Sequence, residues 1–107
     1  MALETDYLII GAGASGLAFA DEMLTRSTAT MTIVDKRHAP GGHWNDAYSF
    51  VKLHQPSAFY GVESKELSDG CIDADGVNEG FLSLAAGPTI TEYFHTVMRE
   101  RLRPSGR

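Results

Sequence analysis

The chain reads as an α/β fold built on one β–α–β unit, and three observations carry that reading. A short apolar run, Tyr7-Leu8-Ile9-Ile10, stops at Gly11-Ala12-Gly13-Ala14-Ser15-Gly16, a G-x-G-x-x-G. A helix-forming stretch with Leu17, Ala20, Met23 and Leu24 follows at once. A second apolar run, Met31-Thr32-Ile33-Val34, then ends in a carboxylate, Asp35. Strand, glycine turn, helix, strand and acid, in this order, specify a Rossmann-like βαβ dinucleotide-binding fold.

Each glycine answers a different steric demand. Gly11 lets the chain turn sharply out of the first strand. Gly13, without a Cβ, leaves room for a pyrophosphate to approach the backbone, and Gly16 lets the helix lie close against the strand. The first helical turn, with Ala14 and Ser15, presents unpaired N–H groups and the positive end of the helix dipole, which suit a diphosphate. Asp35 can accept both ribose hydroxyls of an adenosine and would repel an added 2′-phosphate, so FAD or NAD is favoured over NADP. Lys36 and Arg37 blur that preference, because a cation beside the acid can pair a phosphate or lie over an adenine. The competing reading makes the glycines a tight strand–helix turn, with Asp35 a loop acid and Lys36 and Arg37 a solvated turn. The complete order of elements speaks against it for the glycines and Asp35.

After Asp35 the residues His38-Ala39-Pro40-Gly41-Gly42-His43-Trp44 read as a loop. A short strand is expected within Ala47 to His54, then an irregular excursion from Gly61 to Gly80, and a short helix from Glu79 to Ala85 ended by Gly87-Pro88. The last element is a helix with Thr89 as its cap and Glu92 completing a capping box. Ile90, Tyr93, Phe94, Val97, Met98 and Leu102 form its apolar face, and Pro104-Ser105-Gly106 end it. The chain thus divides into a βαβ core over 6–37, a loop-rich insertion over 38–88 and an amphipathic helix over 89–103. Two parallel strands cannot bury a sheet that needs helices on both faces. The expectation is therefore an incomplete fold, the N-terminal part of an FAD-binding domain. Tyr93, Phe94 and Val97 would await cover from a missing C-terminal domain or from self-association.

The 107 residues suffice for one small domain, and 43% hydrophobic with 21% charged residues argues against general disorder. A net charge of −5 disfavours nucleic acid as a partner. Arg99, Arg101, Arg103 and Arg107 cluster at the end, where cations oppose a helix dipole. The single cysteine, Cys71, excludes an internal disulfide and multi-cysteine metal motifs, and its acidic neighbours disfavour a reactive thiolate. His95 has no second ligand candidate near it, so no metal site is expected. No segment has the length of a membrane span, and the N-terminus carries acids where a signal peptide needs cations. A cytoplasmic protein is the expectation.

The second glycine cluster narrows the choice of cofactor. An extended loop at Gly41-Gly42-His43-Trp44 can return along the cofactor towards a flavin ring, with Gly42 allowing close backbone approach and Trp44 an apolar wall. On Gly11–Leu17, Val34-Asp35-Lys36-Arg37, Gly41-Gly42-His43-Trp44 and Leu53-His54-Gln55-Pro56-Ser57, the chain resembles the N-terminus of FAD-dependent oxidoreductases of the flavin-containing monooxygenase type, which have two dinucleotide-binding domains. The resemblance implies bound FAD, reduction by NADPH or NADH at a second Rossmann domain, and a flavin that then reacts with oxygen or another acceptor. It also implies a polar side chain near the flavin at His54. Such flavoproteins more often carry Glu where Asp35 stands, and the monooxygenases Asn where His54 aligns, so oxygenation is less secure than FAD binding. No second G-x-G-x-x-G and no substrate domain are present, so the chain alone is expected to be inactive. Two alternatives remain: an NAD-binding domain of a dehydrogenase or regulator, and a non-catalytic truncated remnant.

Overall fold

The computed structural model describes residues 4–48, 51–53, 60–67, 72, 74 and 78–107. Two parallel strands, β1 (Tyr7–Ile10) and β2 (Met31–Val34), are joined by the helix α1 (Ala14–Arg26). Their register pairs Tyr7 with Met31 and Ile10 with Val34. Side chains alternate across a strand, and here the alternation separates a covered face from a bare one. Ile9 is buried beneath α1, and the Tyr7 ring meets Phe19 edge-on with centroids 5.4 Å apart. On the opposite face Leu8 and Ile10 are 60% and 76% exposed, and Val34 is exposed too. A broad open depression lined by Leu8, Thr32 and Val34 occupies that face.

Helix α1 lies on the sheet through Leu17, Ala20 and Leu24, all buried. A Cβ on Gly16 would stand 2.1 Å from the Gly11 carbonyl oxygen, so only glycine permits this approach. At its end the Ser27 hydroxyl donates to the Met23 carbonyl at 2.7 Å. The Asp6 carboxylate accepts the Thr30 N–H at 2.8 Å, fastening the entry to β1 beside the entry to β2.

Beyond β2 the chain makes a 3-10 turn at Gly42–Asp46 and a two-residue-per-strand hairpin, β3 (Gly61–Val62) and β4 (Lys65–Glu66). This hairpin stands inside the stretch expected to be irregular. The strand expected within Ala47 to His54 reduces, in the described residues, to a single antiparallel bridge between Lys52 and Ala86. Nor does Glu79–Ala85 form a helix. Phe81 N–H closes a turn on the Asn78 carbonyl at 3.1 Å, and Leu82 bridges Ile72.

Helix α2 begins earlier than the capping box requires. It spans Gly87–Val97 with Ala86 as its cap residue and Pro88 in its first turn, so Thr89 and Glu92 are already inside it. Proline needs no amide partner in a first turn and its φ is preset for helix; that signal outranks the Thr-x-x-Glu pattern, and Gly87-Pro88 opens this helix instead of closing a preceding one. Helical winding then continues through a π-helical turn at Met98–Leu102 and a 3-10 turn at Arg103–Ser105, ending at Gly106 with φ +70°.

The apolar face of α2 is not left uncovered. Ile90, Phe94 and Val97 are fully buried and Tyr93 nearly so, in one core with Leu17, Ala20, Leu24 and Val62, with the Gly42–Asp46 turn packed against α2. Tyr60 meets Phe94 edge-on at 6.2 Å. The Tyr93 hydroxyl accepts the Val62 N–H at 2.7 Å and donates to the Lys65 carbonyl. Burial pushes the pKa of that phenol up, so it stays neutral. The expected need for an external partner on this helix is thereby corrected: its apolar face is buried within the chain, whereas Leu8, Ile10 and Val34 of the sheet stand exposed.

Candidate functional site

The glycine turn between β1 and α1 is held to the end of β2 by two short bonds, the second of them to a carboxylate that a third bond fixes. Gly11 takes φ +107°, and its N–H donates to the Val34 carbonyl at 2.7 Å. The next amide, Ala12 N–H, donates at 2.7 Å to Oδ2 of Asp35 at the end of β2. Oδ1 of the same carboxylate accepts the Arg37 N–H, also at 2.7 Å. These two backbone bonds, Ala12 first, hold the Asp35 pKa below the usual carboxylate value, and the Arg37 and Lys36 charges add to the effect. Asp35 is therefore an anion that ties the glycine turn to the turn after β2. A carboxylate has about four lone-pair sites, so two bonds leave acceptor capacity for a hydroxyl.

The second glycine cluster closes on the first. Gly41 N–H donates to the Ala12 carbonyl at 2.8 Å, and Gly41 and Gly42 take φ values of +118° and +57°. A Cβ on Gly42 would stand 3.1 Å from Gly13 Cα. The close approach that Gly42 allows is therefore to the backbone of Gly13.

A cleft of about 530 Å³ opens where these turns meet. Its lining unites six of the sequence-predicted residues, Gly11, Gly13, Asp35, Lys36, Arg37 and Gly42, with Ile10 and Val34 as apolar walls. Ala14 and Ser15 stand beside it in the first turn of α1, where Gly13 is the cap residue and no acid occurs. The amides at such a helix start are free to meet an anion. Gly16 serves the strand–helix contact and faces β1. Trp44 turns away into the protein: its indole N–H donates to the Tyr60 hydroxyl at 3.0 Å, and its ring packs beside Gly87. His54 lies outside the described residues.

Two residues that sequence reasoning missed act at this site. Asp46, the last residue of the 3-10 turn, accepts Arg37 Nε and Nη2 on one oxygen at 2.9 and 2.6 Å. Ala12 supplies the amide that orients Asp35. Neither has a local signature; only the order of hydrophobic runs and glycine turns around Ala12 pointed to its neighbourhood. A second cleft of about 390 Å³, on the other side of Asp35 and Arg37, is bordered by His38, Pro40 and Arg103. Among the described residues, no helix is long and apolar enough to cross a membrane.

Comparison with known proteins agrees with this geometry. The model of the NAD(P)-binding Rossmann-like domain family matches residues 9–63, which contain both glycine clusters and Asp35. Uncharacterized proteins of Mycobacterium tuberculosis and Mycobacterium bovis are 50% identical over 105 residues, 98% of this chain. The chain spans 20% of the length of these curated relatives. A double mutant of a flavin monooxygenase from Stenotrophomonas maltophilia superposes with a TM-score of 0.60 at 25% identity. A flavin-containing monooxygenase from the same organism superposes with a TM-score of 0.66 at 24% identity, a likeness of fold. Each superposition covers 90% of this chain and 26% of the other.

Proposed function

The chain belongs to the NAD(P)-binding Rossmann-like domain family, and we propose that within it the cleft between β1, α1 and the Gly41–Gly42 turn holds the ADP half of FAD. One observation carries the reading: Gly13, which precedes α1 and gives it no side-chain cap, and Asp35 line one cavity. These are a bare backbone and free amides for a diphosphate and an acceptor for ribose hydroxyls, separated by the width of one glycine turn. Nothing acidic stands in the first turn of α1 to oppose a phosphate. The residues present fit an adenine dinucleotide. FAD is preferred over NAD because the Gly41–Gly42 turn folds back onto Gly13, a loop that a flavin-binding chain uses to run along its cofactor, and because flavin monooxygenases share the fold.

The whole protein is then a flavin-dependent oxidoreductase reduced by NADH or NADPH, and this chain its N-terminal FAD-binding segment. When bound, the flavin supplies hydride acceptance and reoxidation; the residues of this chain bind and orient it. At the cleft the lowered pKa of Asp35 keeps it a hydrogen-bond acceptor. The reading is tested by titrating the purified chain with FAD and with NAD while following Trp44 fluorescence and flavin absorbance. FAD binding at micromolar concentration, with NAD at least tenfold weaker, is the expected result. Tighter binding of NAD would assign the cleft to a nicotinamide cofactor, and binding of neither would remove the proposal.

A further inference from the structure

Arg37 is the cation held closest to the ribose acid, yet it is already engaged. Its backbone N–H is fixed on Asp35 Oδ1, and its guanidinium turns outward to give two hydrogen bonds to a single oxygen of Asp46. Arg37 is the better shielded partner, its side chain 24% exposed against 67% for Asp46. Asp46 in turn is positioned by the 3-10 turn whose first residue, Gly42, is pressed onto Gly13. The pair therefore belongs to the same closure that forms the cleft.

A 2′-phosphate on a bound adenosine brings close to two negative charges to the neighbourhood of Asp35. It binds where an arginine fork is free to take it. Asp35, Lys36, Arg37 and Asp46 together are formally neutral, and Asp46 occupies the fork. We propose that Asp46 determines the ribose selectivity of this site: by holding Arg37 it withholds the counter-charge a 2′-phosphate would need, and leaves Asp35 to repel that group. The inference rests on the reading of the cleft as an adenine-dinucleotide site. In a flavoenzyme reduced by a nicotinamide dinucleotide, such a device keeps a 2′-phosphorylated reductant out of the FAD cradle, since both ligands share an ADP moiety.

Binding of ADP-ribose and of its 2′-phosphorylated counterpart to the full chain, by calorimetry, tests it. Wild type should prefer ADP-ribose. Asp46→Asn and Asp46→Ala should move the ratio of the two affinities about tenfold towards the 2′-phosphorylated probe. Adding Arg37→Gln to either variant should return the ratio to the wild-type value. An unchanged ratio in both single variants, or equal tightening of both probes, overturns the inference while leaving the cleft assignment standing. If wild type binds neither probe, the cleft assignment falls, and the inference with it. A melting temperature close to wild type in the Asp46 variants separates a change in selectivity from a change in fold.

Discussion

The backbones of Gly13 and Gly42 meet face to face, and they do so unequally: a Cβ on Gly42 would stand 3.1 Å from Gly13 Cα, whereas one on Gly13 would stand 3.5 Å from Gly42 Cα. Gly13 also has extended backbone, φ −85° and ψ −167°, which any residue adopts, whereas Gly42 sits at φ +57°. The two glycines are therefore needed for different reasons, Gly42 for its left-handed backbone and Gly13 for the close packing of the two turns at the edge of the cleft that both line.

Gly13→Ala should accordingly fold with a stability within about 1 kcal/mol of wild type. It should bind FAD at least tenfold more weakly, on the order of 1.4 kcal/mol, because a methyl group wedged against Gly42 shifts the two turns that line the cleft. Gly42→Ala should lose about 2 kcal/mol from the left-handed backbone and the tight contact combined. Urea unfolding and FAD titration on both variants check the pair. Equal stability losses in the two would show that the shared contact, and not the backbone angle, decides.

Gly16→Ala is expected to be the most damaging single-methyl change in the βαβ unit. The added carbon would meet the Gly11 carbonyl at 2.1 Å and the Ile9 side chain at 3.3 Å, and backbone cannot swing aside as a flexible side chain can. Separating α1 from β1 should cost about 2–4 kcal/mol, read as a lowered urea midpoint even without cofactor. A stable Gly16→Ala protein would refute the tight strand–helix contact.

The parts of this molecule that were legible in its sequence are those with local causes. Tyr7–Ile10, Gly11–Gly16 and Met31–Val34 carry periodicity, glycine stereochemistry and a terminal acid within themselves, and β1, α1 and β2 follow. At the start of α2 two local signals compete, Thr89 with Glu92 against Pro88, and proline stereochemistry prevails. The roles of Asp46 and of the end of the chain depend on contacts distant in sequence. Arg107 donates to the Leu24 and Ser27 carbonyls at 2.8 and 2.6 Å, so this cation serves the C-terminus of α1 and not its own helix. The hydrogen-bond partners of the Tyr93 hydroxyl likewise come from a hairpin whose strands are too short to leave a period-two pattern.

Asp21 and Arg101 join α1 to the extension of α2 through the best-buried carboxylate among the described residues. Asp21 Oδ1 accepts Arg101 Nε at 3.0 Å, and Oδ2 accepts the Ser64 N–H at 3.1 Å, with the Ser64 hydroxyl donating to Oδ1 as well. Arg101→Ala strips a buried anion of its cation and should cost about 3 kcal/mol. Asp21→Asn keeps the shape and removes the charge, so the double variant should be less destabilised than the two losses added. Thermal unfolding of the cycle measures the coupling, and strict additivity would mean that the two side chains act independently.

Acid should reach the molecule through Asp21 and Asp35, by different routes. Burial alone would raise the Asp21 pKa, but the Ser64 and Arg101 hydrogen bonds and the Arg101 charge outweigh it and leave the value lowered; for Asp35 the Ala12 and Arg37 amides lower it. A carboxyl whose pKa is depressed on folding stabilises the folded state above its unfolded pKa, about 3.9, and that contribution is lost as pH falls through the lower folded value. Stability should be level in this respect above about pH 5 and decline below about pH 4. Asp35→Asn should flatten part of that decline and weaken FAD binding at neutral pH, because an amide cannot accept both backbone N–H groups and a ribose hydroxyl as the carboxylate can. Arg101→Ala should also flatten part of the decline, because without the guanidinium the folded Asp21 value moves up towards the unfolded one, but with Asp35 still anionic and FAD binding at neutral pH intact. Melting temperatures from pH 3 to 7, paired with FAD titrations at pH 7, distinguish the two; an acid limb identical in wild type and both variants would place the responsible groups elsewhere.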